Sequence, residues 1–259
     1  MKKRTIAITL ALVMTMSAAA ACQKEPDTDA SVSIITSESS ESSADTTPSE
    51  ETTEATSASS HQIVVEDSTI ATLTDTTGEF TSVIPKLSID GQEATDINYN
   101  MKTYIEEKYT MQVDANSGFV TGYQVSYYWG VKDNIISIVI KASYIGEDGA
   151  TYEAFNYDAD RVWPMEASSV VAQLGMTDDE FFGKTADAYR NYWNTQPWLG
   201  AEYNDLLEQS ISAIGYGEVT PFIAPNGDIA VAGTIYTPTQ TYQSVKCFDL
   251  DTNELVSFN

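Results

Sequence analysis

The sequence predicts an α+β domain. An antiparallel sheet, made of a central three-strand meander and a C-terminal hairpin, packs with about three helices. Three observations carry this. Residues 119–158 alternate apolar and polar with a period of two, interrupted by Lys132-Asp133-Asn134 and Glu147-Asp148-Gly149. Asn226-Gly227, a strong hairpin signal, lies between two more alternating runs. Apolar residues recur at helical spacing after Glu93 and again after Thr177.

Taken in order, Gln62–Thr74 alternates as a strand, and Glu79–Ile84 is a second one that Pro85 stops. Asp90-Gly91-Gln92-Glu93 reads as a capping box. Ala94, Ile97, Met101, Tyr104, Ile105 and Lys108 follow at helical spacing, so residues 93–110 are expected to form an amphipathic helix. In the meander, Gly122–Trp129 puts Tyr123, Val125, Tyr127 and Trp129 on one face and Tyr128 on the other. Ile135–Ile145 and Thr151–Tyr157 complete it. Thr177-Asp178-Asp179-Glu180 is a second capping box, opening a helix that carries Phe181, Phe182, Thr185, Tyr189, Tyr192 and Trp193 and that Pro197 ends. Ala201–Ile214 is the third helix. Thr220–Ala224 and Asp228–Tyr236 flank the hairpin turn, and Tyr242–Leu250 is the last strand.

Ahead of the domain lies a targeting pattern. Lys2-Lys3-Arg4 precedes an apolar run, Ile6–Met16, and small residues lead to Cys22. A small-residue run ending in Cys resembles a bacterial lipobox, although Ala19 stands where Leu is commoner. The expectation is a lipoprotein signal peptide over 1–21, with Cys22 acylated and the protein anchored on the extracellular face of the cell membrane. At about 0.8 kcal/mol per buried CH₂, a diacylglyceryl group gives stable anchoring. Residues 23–60 hold 18 Ser or Thr and 9 acidic side chains, a composition that cannot repay the entropy of ordering. Residues 22–60 therefore read as a disordered tether with a reach of roughly 35 Å. The folded domain is 61–259.

Formal net charge is −25, from 13 basic and 38 acidic residues. Residues 61–259 alone hold 9 basic and 29 acidic side chains. Such a surface excludes nucleic acid as a partner and favours a cationic one. Two cysteines, Cys22 and Cys247, rule out a disulfide framework.

Pro85-Lys86-Leu87, Gly91, Ile97-Asn98, Tyr123-Gln124-Val125, Ile136-Ser137-Ile138, Asn156-Tyr157-Asp158, Pro221-Phe222 and Asn226-Gly227-Asp228 follow one another in order. Over about Phe80–Leu250 this pattern resembles the extracellular domain shared by the anti-sigma-V factor RsiV and the PdaC-type peptidoglycan deacetylases of Gram-positive envelopes. The resemblance implies a sensing or binding module. In the RsiV branch the domain binds lysozyme. In the deacetylases it accompanies a separate catalytic domain. That catalysis needs an Asp and two His on a metal, and His61 is the single histidine here. Sigma-factor binding needs a cytoplasmic segment, and five residues precede the apolar run.

One histidine allows neither a Ser-His-Asp triad nor a His-rich zinc site, and no cofactor is expected. His61 reads as a solvated linker residue and Cys247 as a buried, inert thiol. Asp249-Leu250-Asp251-Thr252-Asn253 opens like a calcium loop, but Glu254 occupies the glycine position, so a turn is expected. The expected binding surface is aromatic: Tyr127, Tyr128 and Trp129 on the sheet, and Tyr189, Trp193 and Trp198 near the second long helix. Helical spacing makes core packing the competing reading for Tyr189 and Trp193. The favoured function is a non-catalytic module binding a cationic protein such as lysozyme. A glycan-binding module is the first alternative, and a cell-wall hydrolase the second.

Overall fold

The computed structural model describes residues 60–147, 149–238 and 244–258, all within one compact unit that begins at Ser49. The signal peptide, Cys22 and the tether up to residue 59 lie outside the described residues. The fold is α+β: the described residues form antiparallel sheets of three, five and three strands and four α-helices.

The first sheet is a long hairpin. Strand β1 (Ile63–Thr74) pairs with β2 (Glu79–Ile89) from Ile63↔Ile89 to Thr74↔Glu79, with a bulge between Thr69 and Ala71. Pro85 does not stop β2; it sits inside the strand opposite Asp67. Apart from Ser88 and Ile89, which pair with β3 (Gln92–Glu93), β2 has no ladder on its other edge, so a residue without an N–H is tolerated. Asp90-Gly91 is a two-residue turn with φ of 51° and 74°, not a capping box. Helix α1 (Thr95–Lys108) starts after Ala94 with no side-chain cap and buries Ile97, Met101 and Ile105. Hairpin chemistry of Asp-Gly has prevailed over capping chemistry, because both turn residues take the left-handed conformation.

Five strands form the second sheet: β4 (Met111–Val113), β5 (Val120–Lys132), β6 (Ile135–Tyr144), β7 (Thr151–Asp158) and the short β8 (Trp163–Pro164). β6 is buried on both sides. Ile136, Ile138, Ile140 and Ala142 pack with Ile84, Leu87, Ile97, Met101 and Ile105 beneath α1 and β2. Val139 faces the other way, towards Phe222, Ala230 and Cys247 of the third sheet.

After α2 (Ala167–Gln173) come α3 (Asp178–Thr195), opened as expected by Thr177, whose side chain accepts from the Glu180 N–H, and α4 (Asn204–Ser212). The third sheet orders β11 (Ser244–Asp249), β10 (Ile229–Ile235) and β9 (Val219–Ile223). The C-terminal hairpin is thus not an extension of the meander sheet. It covers that sheet's second face, while α3 packs Phe181, Tyr189 and Trp193 against Val231 and Phe248 on its far side. At Gly130 the two sheets approach so closely that a Cβ would lie 2.2 Å from the Ala224 carbonyl oxygen. A buried polar link joins them as well. The Ser137 hydroxyl donates to Asn156 at 2.6 Å and accepts from the Ile223 N–H at 2.8 Å. The Asn156 amide donates to the Pro221 carbonyl at 2.8 Å.

Candidate ligand groove

The six expected surface aromatics do not share a surface. Tyr127 and Trp129 are half-buried in the core beneath β1 and β2, where the Tyr127 hydroxyl donates to Asp67 at 2.7 Å. Burial and that carboxylate push the Tyr127 hydroxyl far above its usual value. Tyr128 faces the opposite side and stacks on Phe258, with ring centroids 4.2 Å apart. Tyr189 and Trp193 are 1% and 3% exposed. They present no ring to a ligand, because one turn of helix separates them and that stripe of α3 is the one seated on the third sheet. Trp198, in the segment after α3, is 43% exposed.

Two exposed rings, Tyr104 and Trp163, line one groove. A groove of about 440 Å³ runs between α1 and the β7–β8 edge. Met101 and Tyr104 come from the helix, Phe155 and Tyr157 from β7, and Trp163 and Met165 from β8 and the residue after it. Trp163 is 67% exposed and Tyr104 40%. Asp96 and Asn100 add a carboxylate and an amide from the first turns of α1. Local structure explains each wall. On α1 the buried stripe is Ile97, Met101 and Ile105, so Asn100 and Tyr104 fall beside it, at the margin of the core. Tyr104 meets Phe155 edge to face, with centroids 5.6 Å apart. Its hydroxyl donates to Glu153 at 2.6 Å, and Glu153 also accepts from Tyr109 and Lys108. Burial first, and then this carboxylate, raise the Tyr104 and Tyr109 hydroxyls above their usual values.

Trp163 is placed by the turn before it. Asp158 Oδ1 accepts from the Asp160 and Arg161 N–H groups at 2.9 and 3.2 Å, which turns the chain back so that Trp163 pairs with Asp158. The Met165 N–H donates to the Asn156 carbonyl at 2.8 Å and closes the short ladder. Sequence reasoning missed Trp163. Its signal is Pro164: a tryptophan beside a proline, outside any periodic run, belongs to an edge and has no core to enter.

His61 is not a solvated linker residue. Its ring bridges Asp90 and Asp160 at 2.7 and 2.8 Å and its side chain is only 19% exposed. Cys247 is 3% exposed, and burial raises its thiol far above the usual value. Asp249 accepts from the N–H groups of Asp251 and Thr252, each at 2.8 Å, which makes the calcium-like stretch a turn. Among the described residues, no group of three or more His, Cys, Asp or Glu side chains is placed to hold a metal ion, and no helix is long and apolar enough to cross a membrane.

No family model, no curated protein and no solved structure matches this chain.

Proposed function

We propose that the protein is an envelope lipoprotein, anchored through Cys22, whose domain is a non-catalytic binding module with its ligand site in the α1–β7–β8 groove. The observation that carries this reading is Trp163, two-thirds exposed, on a groove whose walls also include Tyr104 and whose floor is apolar. A concave, mostly apolar site with a few polar groups at its rim is the usual form of a ligand pocket.

The favoured partner is a cationic envelope protein such as lysozyme. Exposed faces of Trp and Tyr attract Lys and Arg at roughly 0.5–2 kcal/mol each. Asp96 adds a carboxylate, and the 29 acidic side chains of residues 61–259 supply a long-range field. The resemblance of Phe80–Leu250 to the RsiV-type domain points to the same partner class. A cell-wall glycan is the second reading. The same rings would stack on sugars, and Asp96 and Asn100 would bond hydroxyl groups. The hydrolase reading has least support, since it requires paired carboxylates roughly 5–10 Å apart and the groove lining holds one, Asp96.

The test compares wild type with Trp163→Ala on immobilised lysozyme and on insoluble peptidoglycan, at low and moderate salt. Salt-sensitive lysozyme binding that the substitution weakens supports the first reading. Retention on peptidoglycan, weakened in the same way, supports the second. Binding to neither, or binding that Trp163→Ala leaves intact, rejects the groove.

A further inference from the structure

We propose that His61 is a pH-sensitive latch on the Asp158–Trp163 loop and, through it, on the Trp163 wall of the groove. Its consequence for ligand binding rests on the groove reading above; the latch itself does not.

The geometry suits a protonated ring. Nδ1 of His61 lies 2.7 Å from Asp90 Oδ2, and Nε2 lies 2.8 Å from Asp160 Oδ1. A carboxylate only accepts, so both bonds need a proton on each ring nitrogen, which is the imidazolium. A neutral ring would turn one lone pair towards an anion. The two carboxylates flank opposite edges of the ring, so they do not converge on one ion. Among the described residues, the charged groups that act on the ring are Asp90 from the β2–β3 turn and Asp160 from the loop after β7. Further along that loop, Arg161 pairs with Asp158 at 3.7 Å.

The two ends of the latch sit in different backbone. Asp90 belongs to a two-residue turn and also accepts from the Gln62 N–H at 2.9 Å. Asp160 is held by Asn134 and lies two residues from Val162, which has φ of 51°. A β-branched residue in the left-handed region is strained and persists only where its surroundings hold it. The ring is one of the ties on this strained loop, beside those from Asn134 and Asp158, so its release lets the backbone next to Trp163 shift. Hydrogen bonds and charge from the two carboxylates raise the His61 pKa. The latch is closed while the ring is protonated and opens as pH rises through that raised value.

His61 is the single histidine of the chain, so its ring protons report alone in a proton NMR titration of the full chain. Incorporation of 5-fluorotryptophan, with the resonance assigned by Trp163→Phe, reports the groove wall. The expected result is a His61 midpoint above about 6.5, a lower midpoint in Asp160→Asn, and a Trp163 fluorine shift that tracks the His61 midpoint and vanishes in His61→Gln. A midpoint at or below about 6.5, one that Asp160→Asn leaves unmoved, or a flat Trp163 resonance overturns the latch. No ligand enters this experiment. A flat resonance together with ligand binding that depends on Trp163 rejects the latch alone. A tracking resonance with no binding to lysozyme or peptidoglycan rejects the groove alone.

Discussion

The Tyr104 hydroxyl donates to the Glu153 carboxylate at 2.6 Å, and this bond ties the helical wall of the groove to the strand beneath it. Tyr109, the residue that ends α1, lies 44 positions before Glu153 and bonds the same carboxylate from a buried position. Glu153→Ala strands both hydroxyls and frees the Tyr104 ring. The expected cost is about 1–3 kcal/mol, read as a lower urea midpoint at unchanged slope. Glu153→Gln keeps an acceptor and should lose less. A Glu153→Ala protein within about 0.5 kcal/mol of wild type would show that the contact is incidental.

Ser137 and Asn156 act as one unit. Each bonds the other, and each also satisfies a backbone group of β9. Ser137→Ala leaves the buried Ile223 N–H unpaired, and Asn156→Ala leaves the Pro221 carbonyl unpaired, at about 1–3 kcal/mol each. Because the two share partners, the double variant should cost less than the two single losses added together. Strict additivity in a double-mutant cycle would refute the shared network.

These residues show why much of the fold was legible. Ser137 and Asn156 lie in the alternating runs of the meander, and with Pro221 they stitch it to the sheet that covers it. Asn226-Gly227 and the Thr177 cap are local devices, decided within four residues, and both form where their chemistry predicts. Asp90-Gly91 supports two local readings, and only the pairing of Ile89 with Gln92 decides between them. Pro85 inside β2 escapes a local reading, because the tolerance of a strand for proline depends on its neighbour on the other edge. Helix α2 is only seven residues long, too short to show a period. The groove was the least legible feature. Tyr104, Phe155 and Trp163 come from three separate elements, and no single window of sequence contains them. His61 likewise finds its partners 29 and 99 residues away.

Asp75 predicts the acid limb of stability. Its Oδ1 accepts from the Thr77 hydroxyl and N–H, each at 2.6 Å, and its Oδ2 from the Val120 N–H at 2.6 Å. The Thr77 hydroxyl bond first, then the Val120 amide, hold this carboxyl below the usual range. A folded-state value below the unfolded one means that the contribution is present above the unfolded pKa and is lost as pH falls through the folded pKa. Asp75→Asn should therefore lower stability at neutral pH and flatten its decline on acidification. Melting curves between neutrality and about pH 2, spanning the ordinary carboxylate pKa, provide the check. Parallel declines in the two proteins would contradict the assignment.

Trp163 and Trp193 separate binding from folding. Trp193 is 3% exposed in the core between α3 and the third sheet, so Trp193→Ala opens a cavity at a cost of about 3–5 kcal/mol. Against a typical total of about 5–15 kcal/mol, that loss lowers the folded fraction, and any weakening of ligand binding should follow the unfolding curve. Trp163 packs on no comparable core, and Trp163→Ala should shift stability by no more than about 0.5 kcal/mol. Its effect should fall on affinity instead: at least about tenfold, or ~1.4 kcal/mol, for immobilised lysozyme or peptidoglycan, whichever binds. The decisive comparison measures both variants by urea unfolding and by binding at a pH where both are folded. If Trp163→Ala destabilises as much as Trp193→Ala, its ring is a structural element and the groove loses its principal wall as a ligand site.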